Sequence, residues 1–329
     1  MFKRLTTTLS LVAILTCTGQ ATADGHGKKL QIKKDGDREL VMIGDAMFTA
    51  LNTKGQRLPY LYPIIGPTGA EMTRNYPIKQ GVKGEATDHP HHISMWFAHG
   101  SVSGVNYWHN KKDSGTVQNA QMIYASDPSP RPVIGASDVW LKGNKEPLAD
   151  VKTRYAFEVL ADGSRVIDYT TSIAPSDGIE SLVFGDTKEG TMAIRMHPAL
   201  RIKGEVATGK AINSEGHKDR DVWGKRAKWV AYWGQIDGKT CGIAIFDHPA
   251  NLRHPTWWHA RDYGLFTANP FGMSDFERGK HKRGAGNHAV KAGEQLDLQY
   301  RFVFFAGTAE EADIANKYDQ WVKDTKKAK

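Results

Sequence analysis

Hydrophobic and polar residues alternate along much of this chain, which is the pattern of β-strands with one buried face. Alternation over 155–159 is followed by Asp162-Gly163 and then by a second apolar run over 166–173. An Asp-Gly pair between two such runs predicts an antiparallel hairpin. The same arrangement returns over 229–246, where Asp237-Gly238 is the predicted turn.

The last part of the chain predicts one more strand and one helix. Apolar residues alternate with polar ones over 296–304. Thr308 and Glu311 have the spacing of a helix-capping box, and the apolar residues over 314–322 follow helical spacing. The chain contains 33 glycines, and many short strands joined by turns favour a sandwich or barrel over alternating β-α units. We therefore expect an all-β fold with one C-terminal α-helix.

The N-terminus has the pattern of a secretory signal peptide. Lys3 and Arg4 precede an apolar run over 9–15, and Ala21-Thr22-Ala23 fits a signal-peptidase site. The apolar run is much shorter than the roughly 20 residues needed to span a bilayer. We expect residues 1–23 to be removed and residues 24–329 to form a single periplasmic or secreted domain without a membrane span.

Cysteine content and charge indicate which stabilising bonds and which binding partners to expect. Cys17 leaves with the signal peptide, so Cys241 has no partner for an internal disulfide and is predicted to be buried in an apolar strand. The formal net charge is +8, and much of it lies in the basic tail over 323–329. No nucleic-acid-binding motif accompanies this charge, so we expect no nucleic-acid partner. The sequence leaves the oligomeric state open.

Two segments, 88–109 and 247–272, break the strand pattern with many histidines and tryptophans. Five of the thirteen histidines fall between residues 89 and 109. A stable core prefers aliphatic side chains to His and Trp, so folding does not require either segment. Two shorter segments, 184–195 and 223–227, concentrate charged residues around glycines, although a solvated surface hairpin is the alternative for 184–195.

The histidines have three interpretations that the sequence leaves open. Asp88, His89 and His91 are candidate ligands for a divalent metal cofactor, because zinc sites combine imidazole nitrogens with carboxylates. Their spacing is not an established metal-binding signature. Histidine also acts as an acid or base near neutral pH, or simply forms structural hydrogen bonds.

The mixture of aromatic, charged and hydrogen-bonding residues indicates a cleft for a small-molecule or oligosaccharide ligand. His92 and His259 are the predicted acid-base or metal-binding pair, Glu189 is the predicted general base, and Asp262 is predicted to orient a histidine. The candidate substrate-binding residues carry an aromatic or hydrogen-bonding side chain: Trp96, His99, Trp108, Lys188, Arg195, Lys225, Trp258, Arg261 and Asn269. Because neighbours on a strand face opposite ways, one of Trp257 and Trp258 is expected in the core.

Several motifs in order resemble a bacterial family catalogued as methane oxygenase PmoA. The matching motifs are Tyr60-Leu61-Tyr62-Pro63, Asp88-His89-Pro90-His91-His92, Trp96-Phe97-Ala98-His99-Gly100, Gly185-Asp186-Thr187-Lys188-Glu189-Gly190, Trp223-Gly224-Lys225-Arg226-Ala227, and His254-Pro255-Thr256-Trp257-Trp258-His259. The resemblance extends from about residue 30 to 321. It implies a large antiparallel β-sandwich of the galactose mutarotase-like supersandwich type, in a family whose function is not established.

These observations lead to one functional hypothesis with two alternatives. The leading hypothesis is an exported carbohydrate-active enzyme, a lyase, hydrolase or epimerase that acts on a sugar derivative. The first alternative is a non-catalytic carbohydrate-binding module. The second is the metal-dependent oxygenase that the family name suggests, although methane oxidation itself is not expected of a chain without a membrane span.

Overall fold

The computed structural model describes residues 30–82, 84–125 and 131–327, and the predicted signal peptide lies outside these ranges. The first nine strands are β1 (Leu30–Asp35), β2 (Arg38–Ile43), β3 (Ala46–Asn52), β4 (Tyr60–Ile64), β5 (Met95–His99), β6 (Thr116–Ala125), β7 (Val133–Leu141), β8 (Pro147–Val159) and β9 (Arg165–Pro175). The remaining strands are β10 (Ser181–Phe184), β11 (Gly190–Arg195), β12 (Lys210–Asn213), β13 (Trp229–Ile236), β14 (Lys239–Asp247), β15 (Trp257–Ala260), β16 (Leu265–Asn269), β17 (His288–Lys291) and β18 (Leu296–Ala306). The helices are α1 (Met273–Phe276) and α2 (Ile314–Lys327).

These strands form two eight-stranded sheets and one two-stranded sheet. The first sheet has the order β1-β2-β3-β4-β5-β11-β16-β15, and the second has the order β12-β13-β14-β18-β9-β8-β7-β6. Strands β10 and β17 form the small sheet. Neighbouring strands pair antiparallel throughout, for example β11 with β16 and β9 with β18. The predicted large antiparallel β-sandwich is confirmed.

The two large sheets pack face to face around a shared aromatic and aliphatic core. Phe48 of the first sheet contacts Phe157 and Phe304 of the second, each at a ring-centroid distance of 6.2 Å. Phe97 stacks on Tyr169 across the same interface at 5.7 Å. Full burial of such an aromatic side chain contributes about 1.5–3 kcal/mol. The interface between the sheets is therefore the main hydrophobic core.

Both predicted hairpins are present. Strands β8 and β9 pair around the turn that contains Gly163, and β13 and β14 pair around Asp237-Gly238. Asp237 and Gly238 have φ values of 49° and 73°, the left-handed conformation that a two-residue type I′ turn requires. The turn residues thus set the strand register that the sequence pattern predicts. Cys241 lies in β14 and is buried, as expected.

Helix α2 covers the outer face of the second sheet. Tyr318 and Trp321 pack on Phe246 at ring distances of 5.5 and 6.0 Å. The predicted capping box forms, because the backbone N–H groups of Thr308 and Glu311 donate to each other's side chains at 2.8 and 3.2 Å. The box closes the turn before α2, and α1 is an additional four-residue helix that the sequence pattern did not predict. In the part of the chain that the structure describes, no helix has the length and apolarity for a membrane crossing.

The first sheet brings the unusual segments together. Strand β5 belongs to segment 88–109, β11 to segment 184–195, and β15 and β16 to segment 247–272. These four strands are consecutive in the sheet order β5-β11-β16-β15. Arg226 forms a bridge with Trp257, which places segment 223–227 beside β15. The loops at these strands therefore meet at one edge of the sandwich.

Candidate functional site

A cluster of histidines and one carboxylate lies where these loops meet. We call it the histidine cleft, and it consists of His89, His91, His92, His109, Glu189, His259 and Tyr263. His91, His109, Glu189 and Tyr263 are half-buried and His89 is exposed, whereas His92 and His259 are buried. The negative charge of Glu189 acts on the pKa values of His91, His109, His259 and Tyr263, which places Glu189 at the centre of the group.

The imidazole rings contact one another closely. His89 is stacked between His92 and Tyr263, with ring centroids 4.8 and 5.3 Å apart. His91 contacts His92 at 4.4 Å and His109 at 4.8 Å. Protonated rings would repel each other at these distances, and burial removes the water that would solvate them. Burial, followed by the charges of His109 and His89, lowers the pKa of His91 to about 3.

Arg195 determines the protonation of His92. Nη1 of Arg195 lies 3.1 Å from Nδ1 of His92. A guanidinium can only donate, so Nδ1 accepts and the proton of the neutral imidazole lies on Nε2. Burial lowers the pKa of His92 well below its ordinary value, and the nearby His91 and Arg195 lower it further. His92 is therefore a neutral donor at neutral pH.

Two buried arginines share a single carboxylate below the cleft. Oδ1 of Asp88 accepts from Arg74 at 2.7 Å and from Arg195 at 2.9 Å. Both guanidinium groups are buried, at 2% and 1% exposure, whereas Asp88 is 40% exposed. Oδ2 of Asp88 lies 2.8 Å from Nδ1 of His89. Asp88 thus contacts two guanidinium groups with a single carboxylate.

This arrangement gives the metal-binding hypothesis for Asp88, His89 and His91 no support. Within residues 30–82, 84–125 and 131–327, no group of three or more His, Cys, Asp and Glu side chains has an arrangement that could hold a metal ion. Both oxygens of Asp88 already contact cationic or N–H donors. A metal cation here would also face the charges of Arg74 and Arg195.

Glu189 and His259 form the candidate proton-transfer pair. Nδ1 of His259 lies 3.0 Å from the backbone oxygen of Lys188, so Nδ1 donates and Nε2 carries the lone pair. Burial lowers the pKa of His259 to about 4, although the charge of Glu189 acts in the opposite direction. Burial acts to raise the pKa of Glu189, but the ion pair with Lys188 at 2.7 Å and the nearby His259 outweigh it and lower that pKa. At neutral pH both groups are proton acceptors.

His109 adds a second neutral donor. Oδ1 of Asn106 accepts the backbone N–H of His109 at 2.8 Å, so the amide nitrogen of Asn106 faces the imidazole ring. That nitrogen lies 3.2 Å from Nδ1 of His109, which must accept and leave the proton on Nε2. Burial lowers the pKa of His109. The cleft thus combines two acceptors, Glu189 and His259, with two donors, His92 and His109.

Residues that the sequence reasoning missed hold the Lys188-Glu189 segment in place. Asp275 accepts the backbone N–H of Lys188 at 2.8 Å. Asp186 accepts from the backbone N–H groups of three residues on the neighbouring loop, at 3.0 to 3.1 Å: Ser274, Gly284 and Gly286. Asn269 is fully buried and donates to the backbone oxygen of Thr187 at 2.9 Å, so its observed contacts are structural. No sequence signal marks these loop-to-loop contacts.

The predicted sugar-stacking tryptophans are buried. Trp96, Trp108 and Trp258 are at most 1% exposed, so their ring faces are covered by protein. Trp96 stacks under His92 at 5.5 Å, and Trp258 donates to the backbone oxygen of Ala227 at 2.9 Å. Trp257 is buried as well, since both faces of β15 are covered. These rings support the cleft and present no open face for a sugar, contrary to the stacking hypothesis.

The remaining candidates occupy different positions. His99 is buried, its Nε2 lies 2.8 Å from the backbone oxygen of Gly185, and burial lowers its pKa to about 4. Asp262 pairs with Arg220 at 3.2 Å instead of orienting a histidine. Lys225 is exposed in the loop beside β15. Arg195, predicted to hold substrate, is instead a buried partner of His92.

Comparisons with known proteins show the family of this chain but give no activity. The sequence model of a family of unknown function, DUF6807, matches residues 38–319. No curated protein matches the chain. Among solved structures, the GalM/aldose epimerase homologue from C. elegans is similar, with 7% sequence identity and a TM-score of 0.32 over 85% of this chain and 99% of that one. A similarity this distant carries no argument about function.

Proposed function

We propose that this chain, which belongs to the DUF6807 family of unknown function, is an exported enzyme that binds a sugar derivative in the histidine cleft. The proposed reaction is proton transfer at a carbon next to a carbonyl group, as in an epimerase or a lyase. The observation that carries the proposal is the pairing of an ionised carboxylate, Glu189, with the unprotonated Nε2 of His259. We propose the periplasm or the extracellular space as its location.

The two kinds of group have complementary tasks in such a reaction. Glu189 or His259 would remove the proton from carbon, because both lack a proton at neutral pH. The negative charge that develops on the carbonyl oxygen needs donors, and Nε2–H of His92 and of His109 are neutral donors. No described residue hydrogen-bonds Nε2 of His92 or of His259, so both nitrogens remain available to a ligand.

The preorganisation of the site supports catalysis over simple binding. The tautomer of each of the three histidines is set by a neighbour: Arg195 for His92, the Lys188 backbone for His259, and Asn106 for His109. A binding module needs hydrogen-bonding groups and open aromatic faces, but it does not need paired acceptors and donors. Because the tryptophans are buried, they offer no open aromatic face to a sugar, and the binding-module alternative loses that support.

Solvent deuterium exchange tests the proposal. The purified protein in D2O is incubated with a panel of keto-sugars and aldoses, and proton NMR follows loss of the signal at the carbon next to the carbonyl. We expect exchange with the wild type and a rate at least about 100-fold slower in Glu189→Gln and in His259→Asn. His92→Ala tests the proposed donor, and Glu146→Gln, a fully exposed carboxylate, is the matched control.

The outcomes separate the alternatives. Undiminished exchange in Glu189→Gln and His259→Asn would refute the assignment of the acceptors. Binding of sugars without exchange or turnover of any kind would favour the carbohydrate-binding module. Substrate-dependent oxygen consumption that requires added iron or copper would favour the oxygenase.

A further inference from the structure

A pocket lies beside the histidine cleft and is lined in part by Arg261, which contacts the cleft residue Tyr263. Its lining residues are Arg220, Trp223, Ala260, Arg261 and Asp262, and its volume is ≈ 260 Å³. Arg261 also lies over the ring of Tyr263, a cleft residue, at 5.4 Å from the ring centre. The charge of Arg261 acts on His259 of the cleft too. Arg261 therefore lies between the pocket and the cleft.

Arg261 lacks a counter-ion there. It is half-buried, and among the described residues no oxygen hydrogen-bonds its guanidinium group, which contacts only the face of Tyr263. A partly buried charge costs free energy unless it is paired. Asp262 lines the same pocket but pairs with Arg220 at 3.2 Å. An anionic oxygen of a ligand would supply the counter-ion that the Arg261 guanidinium lacks.

The lining of the pocket has more positive than negative side chains. Its two guanidinium groups are those of Arg220 and Arg261. Asp262 is the acidic residue of the lining. Such an excess of cations raises the local concentration of anions and gives a neutral ligand no advantage.

From these contacts we infer that the pocket binds an acidic group of the substrate, a carboxylate or a sulfate, through Arg261. The indole of Trp223, whose edge-to-face partner is Phe276 at 5.7 Å, forms the aromatic wall beside that group. The inference rests on the proposed function and restricts its substrates to acidic sugars.

Titration calorimetry with three related sugars tests the inference. Galacturonate carries a carboxylate, galactose 6-sulfate carries a sulfate, and galactose carries neither. We expect at least one acidic sugar to bind the wild type about tenfold more tightly than galactose, since hydrogen bonds to charged groups are the stronger ones. The preference should decrease as salt is added. Whichever acidic sugar binds more tightly identifies the anion.

Variants at Arg261 complete the test. Arg261→Gln should remove the preference for the acidic sugar, whereas Arg261→Lys should retain most of it. Arg38→Gln removes a surface guanidinium on β2 and should change nothing. Equal affinity for acidic and neutral sugars in the wild type, or an unchanged preference in Arg261→Gln, would overturn the inference.

Glu189→Gln distinguishes this inference from the proposed catalysis. The acidic-sugar preference should persist in that variant, because Glu189 is not part of the pocket. A persistent preference without deuterium exchange in the wild type would leave the pocket assignment standing and reject the catalytic one. Deuterium exchange with neutral sugars, together with no preference for acidic sugars, would support the catalytic assignment and reject the pocket assignment.

Discussion

The guanidinium of Arg195 on β11 donates to Nδ1 of His92, which precedes β5, at 3.1 Å. The two residues are 103 positions apart in the chain and meet because β5 and β11 are neighbours in the first sheet. The contact keeps the His92 proton on Nε2, where a ligand oxygen would accept it. Arg195 thereby determines which nitrogen of His92 can donate.

We predict that Arg195→Lys lowers kcat by about 10- to 100-fold with little change in KM, because one ammonium cannot reproduce the forked contact to His92 and Asp88. In this variant, nitrogen NMR of the labelled His92 imidazole should show that the proton is no longer confined to Nε2. A variant with wild-type kcat and an unchanged tautomer would contradict the positioning role. Arg38→Gln serves as the surface control.

Removal of the carboxylate that Arg74 and Arg195 share should destabilise the fold. We expect Asp88→Ala to reduce the free energy of unfolding by about 1–3 kcal/mol, less than for a fully buried pair because Asp88 is 40% exposed. Adding Arg195→Met should recover part of the loss, since one unpaired guanidinium is then absent. Urea unfolding measures both effects, and Asp37→Ala at an exposed ion pair is the control.

Asp186 should be important for both stability and turnover. Asp186→Ala leaves three backbone N–H groups without an acceptor, and we expect a loss of about 2–4 kcal/mol in unfolding free energy. Turnover should also fall at temperatures where the variant remains folded, because the loop from Asp186 carries Glu189. Thermal unfolding and activity at matched folded fractions test this. Wild-type stability of the variant would refute the anchoring role.

The buried histidines predict a loss of stability in mild acid. Burial lowers the pKa of His99 and of His259 to about 4, whereas the unfolded chain titrates near 6.5. Between these values the unfolded state binds more protons, so stability falls as pH decreases from about 6.5 to about 4. The slope is at most about 1.4 kcal/mol per pH unit for each histidine. Urea unfolding at pH 7.5 and 5.0 measures it.

His99→Gln offers a matched variant for that measurement, because an amide can still donate to the backbone oxygen of Gly185. The difference in stability between the two pH values should be smaller in His99→Gln than in the wild type. His281→Gln, at an exposed position, should leave the difference unchanged. An equal loss in all three proteins would show that other groups control the acid response.

Local patterns were sufficient for much of the architecture. The alternation over 296–304 predicted β18, the Asp-Gly pairs predicted two hairpins, and the Thr308–Glu311 spacing predicted a capping box that does form. Each of these features depends on residues within about ten positions of one another, so their physical cause is contained in a short piece of sequence. Helix α2 begins at Ile314, so the capping box closes the turn before the helix and not the helix itself.

The chemistry of the cleft was only partly predictable. Composition predicted Glu189, His92 and His259 as catalytic residues, and the structure brings the segments that carry them together. It assigned Arg195, Asn269 and the tryptophans to the substrate, whereas they contact the protein itself. The local sequence around a polar or aromatic residue is the same whether that residue contacts a ligand or a distant strand of the protein.

The sequence by itself determined the class of the fold, the hairpin turns, the helix cap and the segments in which unusual chemistry is concentrated. Only the tertiary structure decided which nitrogen of each histidine carries a proton, which arginine is paired and which is free, and which tryptophans are covered. The physical reason is that protonation, pairing and burial depend on neighbours supplied by the order β5-β11-β16-β15. That order joins residues more than 150 positions apart, and no local pattern records it.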